Sequence, residues 1–262
     1  MYVEIIVIGN EIMTGHTLDT NSNWLCKKLT ELGAVVRLIM KVPDVINEIS
    51  NAFKYCMSRR PNLIISTGGL GPTFDDKTAE GLSLALSRKL VLNEDAYKMI
   101  EDRYEDFYKR GIVESPDMNK SRKKMAFLPE GAIPLENSIG AAPGILVEKD
   151  GVKIVALPGV PKEMVYIFEK HIASLVKKEV KDEFYMEKEI EIDATDETVL
   201  APLIDEVMER VRGVYIKSHP SVYGSGVRIR VNFSCRGKKR EEIKRKLEEA
   251  ANLLEELWKR KG

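Results

Sequence analysis

The sequence predicts an α/β protein, a three-layer αβα sandwich around a mostly parallel sheet, followed by a small α+β domain. Short β-branched runs alternate with amphipathic helical stretches through the first two thirds of the chain, the pattern of β-α-β crossovers. The runs lack an alternating polar face, as strands covered on both sides do. A charged stretch without a hydrophobic pattern, residues 177–183, then precedes a different order of elements. The expected domains are 1–178 and 184–262.

Each element follows from local chemistry. Ile5–Ile8 is a short apolar strand closed by Gly9. Trp24, Leu25, Leu29 and Leu32 recur at helical spacing, with Gly33 as the stop. Val35–Met40 is the next strand, and Pro43-Asp44 opens a helix whose apolar face carries Ile46, Ile49, Phe53, Cys56 and Met57, with Asp44 available as its cap. Leu63–Ile65 is again a buried strand. Helices follow over Thr78–Arg88 and Asp95–Arg110, and 111–144 is rich in loop. Asp150-Gly151 between Ile145–Val147 and Lys153–Leu157 signals a hairpin whose turn type the sequence leaves open. Leu157-Pro-Gly-Val-Pro161 turns the chain into a helix running to about Lys177.

In the second domain Ile190–Ile192 reads as a strand and Val199–Val211 as a helix. Val214–Ile216 and Val227–Phe233 read as strands joined around Gly224-Ser-Gly226. A last helix carries Ile243, Leu247, Ala250, Leu254 and Leu257 on one side, with Glu241–Arg245 and Glu256–Arg260 as i,i+4 pairs. The resulting β-α-β-β-α order loosely resembles an RNA-binding module, but the Gly-Ser-Gly falls between strands rather than between two helices. This argues against nucleic acid as a partner, and the apolar helix face favours a homodimer.

Composition narrows the function classes. Lysine plus arginine and aspartate plus glutamate both number 41 in 262 residues, so no net field draws the molecule onto nucleic acid or an anionic membrane. Cys26, Cys56 and Cys235 lie far apart, without a Cys-x-x-Cys pair, which disfavours structural zinc and a disulfide framework. The N-terminus has neither a basic flank nor an apolar run long enough for a bilayer. The expectation is a soluble, cytoplasmic protein without a membrane partner.

The informative segment is Ser66-Thr-Gly-Gly-Leu-Gly-Pro-Thr-Phe-Asp-Asp-Lys-Thr78. Glycines at a strand end supply a tight turn, and Asp75 or Asp76 is a possible cap for the following helix. The alternative is that backbone amides here bind phosphate or carboxylate oxygens. Two adjacent acids then require a divalent cation, or a ligand whose hydroxyls or amines face them. Phe74 stands where the last glycine of Gly-x-Gly-x-x-Gly would fall, and the chain has no P-loop, Gly-x-Ser-x-Gly elbow or His-Glu-x-x-His helix.

Four ordered stretches, Gly9-Asn-Glu-Ile-Met-Thr-Gly-His-Thr-Leu-Asp-Thr-Asn-Ser-Asn23, Gly68 to Thr78, Gly140-Ala-Ala-Pro-Gly144 and Leu157-Pro-Gly-Val-Pro-Lys-Glu-Met164, together resemble the CinA family, competence/damage-inducible protein A. That resemblance implies a molybdopterin-binding-like sandwich. The N-terminal domain is also similar to the pyrophosphatase half of eukaryotic FAD synthase. Longer family members carry a C-terminal domain that deamidates nicotinamide mononucleotide, an activity this chain is not expected to share.

The resemblance implies a metal-dependent nucleotide pyrophosphatase acting on ADP-ribose or FAD. Its alternative is a molybdopterin-binding or adenylate-transfer protein. It places Gly68, Gly69, Gly71, Asp76 and Thr78 at the ligand, with an acid after the second strand supplied by Asp44. On this basis Asp44 and Asp76, with Glu11 or Asp75, are expected to hold a divalent cation, Co, Mg or Mn. The loop through Thr73 would cradle a phosphate, and Asn21, Asn23, Asn119 and Lys120 or Arg122 would contact ribose, phosphate or growing charge. Glu11, Asp44, Asn119 and Lys120 also have plain structural alternatives as bracing, capping or solvated residues.

Overall fold

The computed structural model describes residues 1–180, 183–194, 196–220 and 228–261. Its first elements are β1 Tyr2–Ile8, α1 Asn10–Met13, α2 Thr20–Glu31, β2 Val35–Val42, α3 Ile46–Ser58, β3 Leu63–Thr67, α4 Thr78–Leu86, β4 Leu90–Leu92 and α5 Glu94–Lys109. There follow α6 Lys120–Lys124, β5 Phe127–Pro129, β6 Ile133–Leu135, β7 Gly144–Lys149, β8 Val152–Leu157, α7 Pro161–Ile167, a π-helical turn Phe168–Ile172 and α8 Ala173–Val180. The remainder is β9 Phe184–Ile192, α9 Glu197–Arg210, β10 Val214–Pro220, β11 Ile229–Gly237 and α10 Arg240–Lys261. The chain divides into two compact units, Met1–Thr30 with Ala34–Glu179, and Glu31–Gly33 with Val180–Gly262.

In the first unit six strands lie in the order β2-β1-β3-β8-β7-β6. The first four are parallel, and β7 and β6 add to the edge as antiparallel strands. The sheet is therefore mostly parallel, as the alternating β-α pattern predicts. Apart from Tyr2, β1 is buried along its whole length, which is why it reads as an unbroken apolar run. Register fixes the functional edge. Ile8 pairs with Val42, Val7 with Thr67, and Thr67 with Leu157, so the loops after β1, β2, β3 and β8 emerge side by side. Ligands of open α/β sheets bind beyond such carboxyl ends.

Several local expectations are corrected. The first strand begins at Tyr2 and includes Glu4, a fully buried carboxylate that a hydrophobic pattern cannot admit. Arg59 Nε donates to its Oε1 at 2.7 Å and Arg37 lies 3.8 Å away, supplying the opposite charge that burial demands. Asp44 does not cap α3, whose N-cap is Val45; neither Asp75 nor Asp76 caps α4, whose N-cap is Lys77. Helix α4 stops at Leu86 because Ser87 takes a left-handed conformation, φ 56°. Asn93 caps α5 by accepting from the Ala96 amide at 2.9 Å. The loop-rich region 111–144 contains α6 and two short strands, β5 pairing with β4 and β6 with β7.

The β7–β8 hairpin turns at Asp150 and Gly151, both at positive φ (51° and 79°), with Lys149 opposite Val152. These are the signs of a type I′ turn, the kind whose twist matches the strands. The helix after Pro161 reaches Val180 and contains the π turn, where Phe168 meets the Trp24 ring edge-on with centroids 5.3 Å apart.

The second unit is an antiparallel sheet, β10-β11-β9, with α9 and α10 packed on the face carrying Ile229, Val231, Phe233 and Cys235. Leu200, Val207, Leu247 and Leu254 complete its core. Strand β9 is longer than Ile190–Ile192 because alternation, not a continuous apolar run, marks a sheet covered on one face. Among the described residues the i,i+4 ion pair within α10 is Lys246–Glu242 at 3.6 Å, and the expected Glu241–Arg245 and Glu256–Arg260 pairs do not form. The expected junction at Gly224-Ser-Gly226 and the start of its second strand at Val227 lie outside the described residues. Among the described residues, no helix is long and apolar enough to cross a membrane.

Helices α3 and α4 pack closely because Gly81 has no side chain. A Cβ there would lie 2.5 Å from Ile49 Cγ2 and 3.2 Å from the Ile46 carbonyl oxygen. Gly81→Ala should lower unfolding free energy by about 1–3 kcal/mol, the usual cost of overpacking. Urea titration checks this, and an unchanged midpoint would contradict it.

Candidate active site

The glycine loop after β3 is shaped by contacts that exclude side chains. Gly68 has φ 105°, and a Cβ on it would fall 2.0 Å from the Ile8 carbonyl oxygen. Gly69 has φ 66°, and its Cβ would strike Thr78 Oγ1 at 2.4 Å. Only glycine accepts both the positive φ and the close approach. Thr78, buried at the start of α4, donates its hydroxyl to the Gly68 carbonyl at 2.8 Å and its amide to the Gly69 carbonyl at 3.0 Å. The loop carbonyls are thereby tied down. The amides of Gly69, Leu70 and Gly71 donate to no group among the described residues.

Gly68, Gly69, Leu70 and Gly71, but not the buried Thr78, line a cavity of about 350 Å³ that also receives Glu11, Asp44, Asp75 and Asp76. The acids come from three successive strand ends. Asp44 is buried, accepts from the Asn10 amide at 2.7 Å, and returns its own amide to Asn10 Oδ1 at 3.3 Å. This reciprocal pair locks the β1 and β2 loops together. Burial pushes the Asp44 carboxyl above its ordinary range, the Asn10 amide pulls it back, and the charges of Glu11, Asp75 and Asp76 push it further up.

Asp76 Oδ2 accepts from the Thr73 amide at 2.8 Å and the Thr73 hydroxyl at 2.5 Å, while Asp75 Oδ1 stands 2.5 Å from the same hydroxyl. The Thr73 hydroxyl, with the Asp75 amide and the charges of Lys124 and Lys77, holds the Asp75 carboxyl below its ordinary value. Lys124 Nζ donates to the Thr73 carbonyl and clasps the loop from α6.

The structure separates the remaining sequence-selected residues. Asn21 braces the edge of the site, donating Nδ2 to Thr67 Oγ1 at 2.9 Å and to the Gly159 carbonyl at 2.8 Å; its Oδ1 is buried without a partner among the described residues. Asn23 is exposed on α2 and does not line the cavity. Asn119 caps α6 by accepting from the Arg122 amide at 3.0 Å, the ordinary use of asparagine before a helix. Arg122 lies over the Tyr104 ring, 3.8 Å from its centroid, and donates to the Ser115 and Asp117 carbonyls. Lys120 lies in a neighbouring cavity, not this one.

Three contributors to the wall escaped the sequence. Tyr104, Met125 and Glu163 line the cavity beside Ala141 and Ala142. Asn137 Nδ2 donates to Glu163 Oε2 at 2.6 Å and to the Ala142 carbonyl at 2.9 Å, while its Oδ1 accepts from the Ile139 and Gly140 amides. Gly140 leaves room for the carboxylate; a Cβ would come within 2.0 Å of Glu163 Oε2. Burial raises the Glu163 carboxyl, against the Asn137 hydrogen bond and the charge of Arg103. The only sequence signal was its place in Leu157–Met164, a stretch whose proline and glycine draw attention to the turn.

Residues 4–178 match a family model described as a probable molybdopterin binding domain. A protein of Sulfurisphaera tokodaii is 41% identical over 265 residues, covering 100% of this chain and 96% of that protein. A protein of Pyrococcus horikoshii is 43% identical over 226 residues, covering 86% of this chain and 87% of its own. Among solved structures, the protein CinA of unknown function from Thermoplasma acidophilum is 36% identical, with a TM-score of 0.59, covering 69% of this chain and 99% of that one.

The Glu163 carboxyl supplies a pH test. Its folded value lies above its ordinary 4.5, so the folded state binds more protons there than the unfolded state, and stability falls as pH rises above 4.5. Glu163→Gln removes this decline. The melting temperature of the variant relative to the natural protein should rise from pH 4.5 to pH 7; a difference that is flat or falls contradicts the assignment.

Proposed function

The chain belongs to the probable molybdopterin binding domain family, and we propose that this member is a divalent-cation-dependent hydrolase of nucleotide phosphoanhydrides, with ADP-ribose and FAD as candidate substrates. One observation carries the reading. Glu11, Asp44, Asp75 and Asp76 share a cavity with the glycine-loop amides. Amides of this kind favour phosphate oxygens, and carboxylates repel them. A cation bound together with a phosphate satisfies both.

The donor chemistry fits such an ion. All four side chains offer hard oxygens, suited to Mg, Mn or Co. Among the described residues no three His, Cys, Asp or Glu side chains are grouped closely enough to hold a metal alone. That agrees with an ion of the Mg type, which is held by one or two carboxylates and completes its shell with water and substrate phosphates. One or two of Asp44, Asp75 and Asp76 would hold it, rather than the set of three carboxylates expected from the resemblance. When bound, the ion would offset phosphate charge and make a nearby water more acidic.

The chain's own residues supply the rest. Gly69, Leu70 and Gly71 offer amides to phosphate oxygens, and Thr78 keeps that loop from relaxing when charge develops. Thr73 fixes the direction of the Asp76 carboxylate. Glu11 is exposed, and its carboxylate takes no hydrogen-bond or ionic partner among the described residues, which suits it to accept the proton of the attacking water. Water oxygen bonds to one phosphorus, the anhydride P–O bond breaks, and AMP leaves with the second phosphate product.

The alternative, molybdopterin binding or adenylate transfer, draws its support from the family description. Incubation of the protein with ADP-ribose or FAD separates the two, using Co, Mg or Mn and a chelated control. The hydrolase reading expects cation-dependent AMP release, reduced by about a hundredfold or more in Asp76→Asn. No AMP from either substrate with any of the ions would favour the pterin reading instead.

A further inference from the structure

A second cavity, of about 540 Å³, shares the residue Asp76 with the first. A third, small void of about 20 Å³ shares Asp76 with both cavities, the glycine loop with the first, and Lys124 and Phe127 with the second. Their linings differ. The first is acidic, whereas the second combines Leu90, Met118 and Phe127 with Lys120, Lys123 and Lys124; Glu80 and Asp76 are its acids. Lys120, Lys123 and Lys124 form no ion pair among the described residues. Lys124 is engaged with the Thr73 carbonyl, while Lys120 and Lys123 are exposed at the rim. Phe127, at the start of β5, remains 38% exposed although its neighbours Ala126 and Leu128 are buried.

Unpaired cations above an apolar floor suit a ligand that carries a negative group on a flat hydrophobic body. We propose that this cavity is the subsite for the second half of a two-part substrate, a phosphate monoester bearing a planar apolar ring. Lys120 and Lys123 meet its phosphate, and Leu90, Met118 and Phe127 meet its ring. The proposal rests on the hydrolase reading in naming the ligand as half of a cleaved substrate. Asp76 then lies where the two halves join, which places the scissile linkage between the cavities.

The test uses three probes that divide the chemistry: FMN has ring and phosphate, riboflavin has the ring alone, and ribose 5-phosphate has the phosphate alone. Flavin fluorescence follows binding without need of turnover. The natural protein should bind FMN more tightly than riboflavin, and ribose 5-phosphate should compete only weakly. The Lys120→Glu/Lys123→Glu double variant should weaken FMN by about tenfold or more and leave riboflavin unchanged. Both side chains are exposed, and a melting temperature equal to that of the natural protein verifies that the fold is kept. FMN binding no tighter than riboflavin, or equal FMN affinity in the variant, would overturn the subsite. Normal AMP release with no FMN binding removes the subsite alone; FMN binding as described, without hydrolysis of any dinucleotide, upholds it and removes the hydrolase reading.

Discussion

The approach of Gly68 to the end of β1 is the constraint around which the site is built. With the Ile8 carbonyl oxygen 2.0 Å from where a Cβ would stand, the chain leaving β3 is held against the neighbouring strand end. That places the glycine-loop amides beside the loops that carry Glu11 and Asp44. Thr78 holds the turn from α4, and Lys124 holds it from α6. A side chain at Gly68 would push these pieces apart before any ligand arrived.

Bringing them together has an electrostatic cost. Asp44 is buried facing Glu11, Asp75 and Asp76, and its raised proton affinity reflects both burial and those neighbours. Folding alone gains little from such crowding. The carboxylates gain a purpose if the cavity takes a cation with its phosphate ligand. The basic second cavity complements this arrangement, because it offers the far end of the ligand the charge that the acidic side denies it.

The sequence reveals the sheet, because the central strands β1, β3 and β8 carry buried, continuous apolar runs. Glu4 interrupts that logic and is reconciled by Arg37 and Arg59, which arrive from elsewhere in the fold. In the candidate site, the glycine loop with Asp75 and Asp76 is legible because turn, donors and charges lie within one short stretch. Asp44 is legible through its place after β2. Glu163, Asn137 and Tyr104 are not, since they meet only when the loop after β6, the start of α7 and the middle of α5 converge. Asparagine misleads in both directions. Asn119 caps a helix and Asn23 faces solvent, whereas Asn137, which organises a wall of the cavity, carries no local signature.

The central claim is that phosphate and cation occupy the acidic cavity together. Calorimetric titration of AMP into the protein, with Mn²⁺ and again with EDTA, measures that coupling directly. The account predicts AMP binding at least about fivefold tighter with the cation, within the usual range of coupled ligands. Equal affinity under both conditions would contradict it.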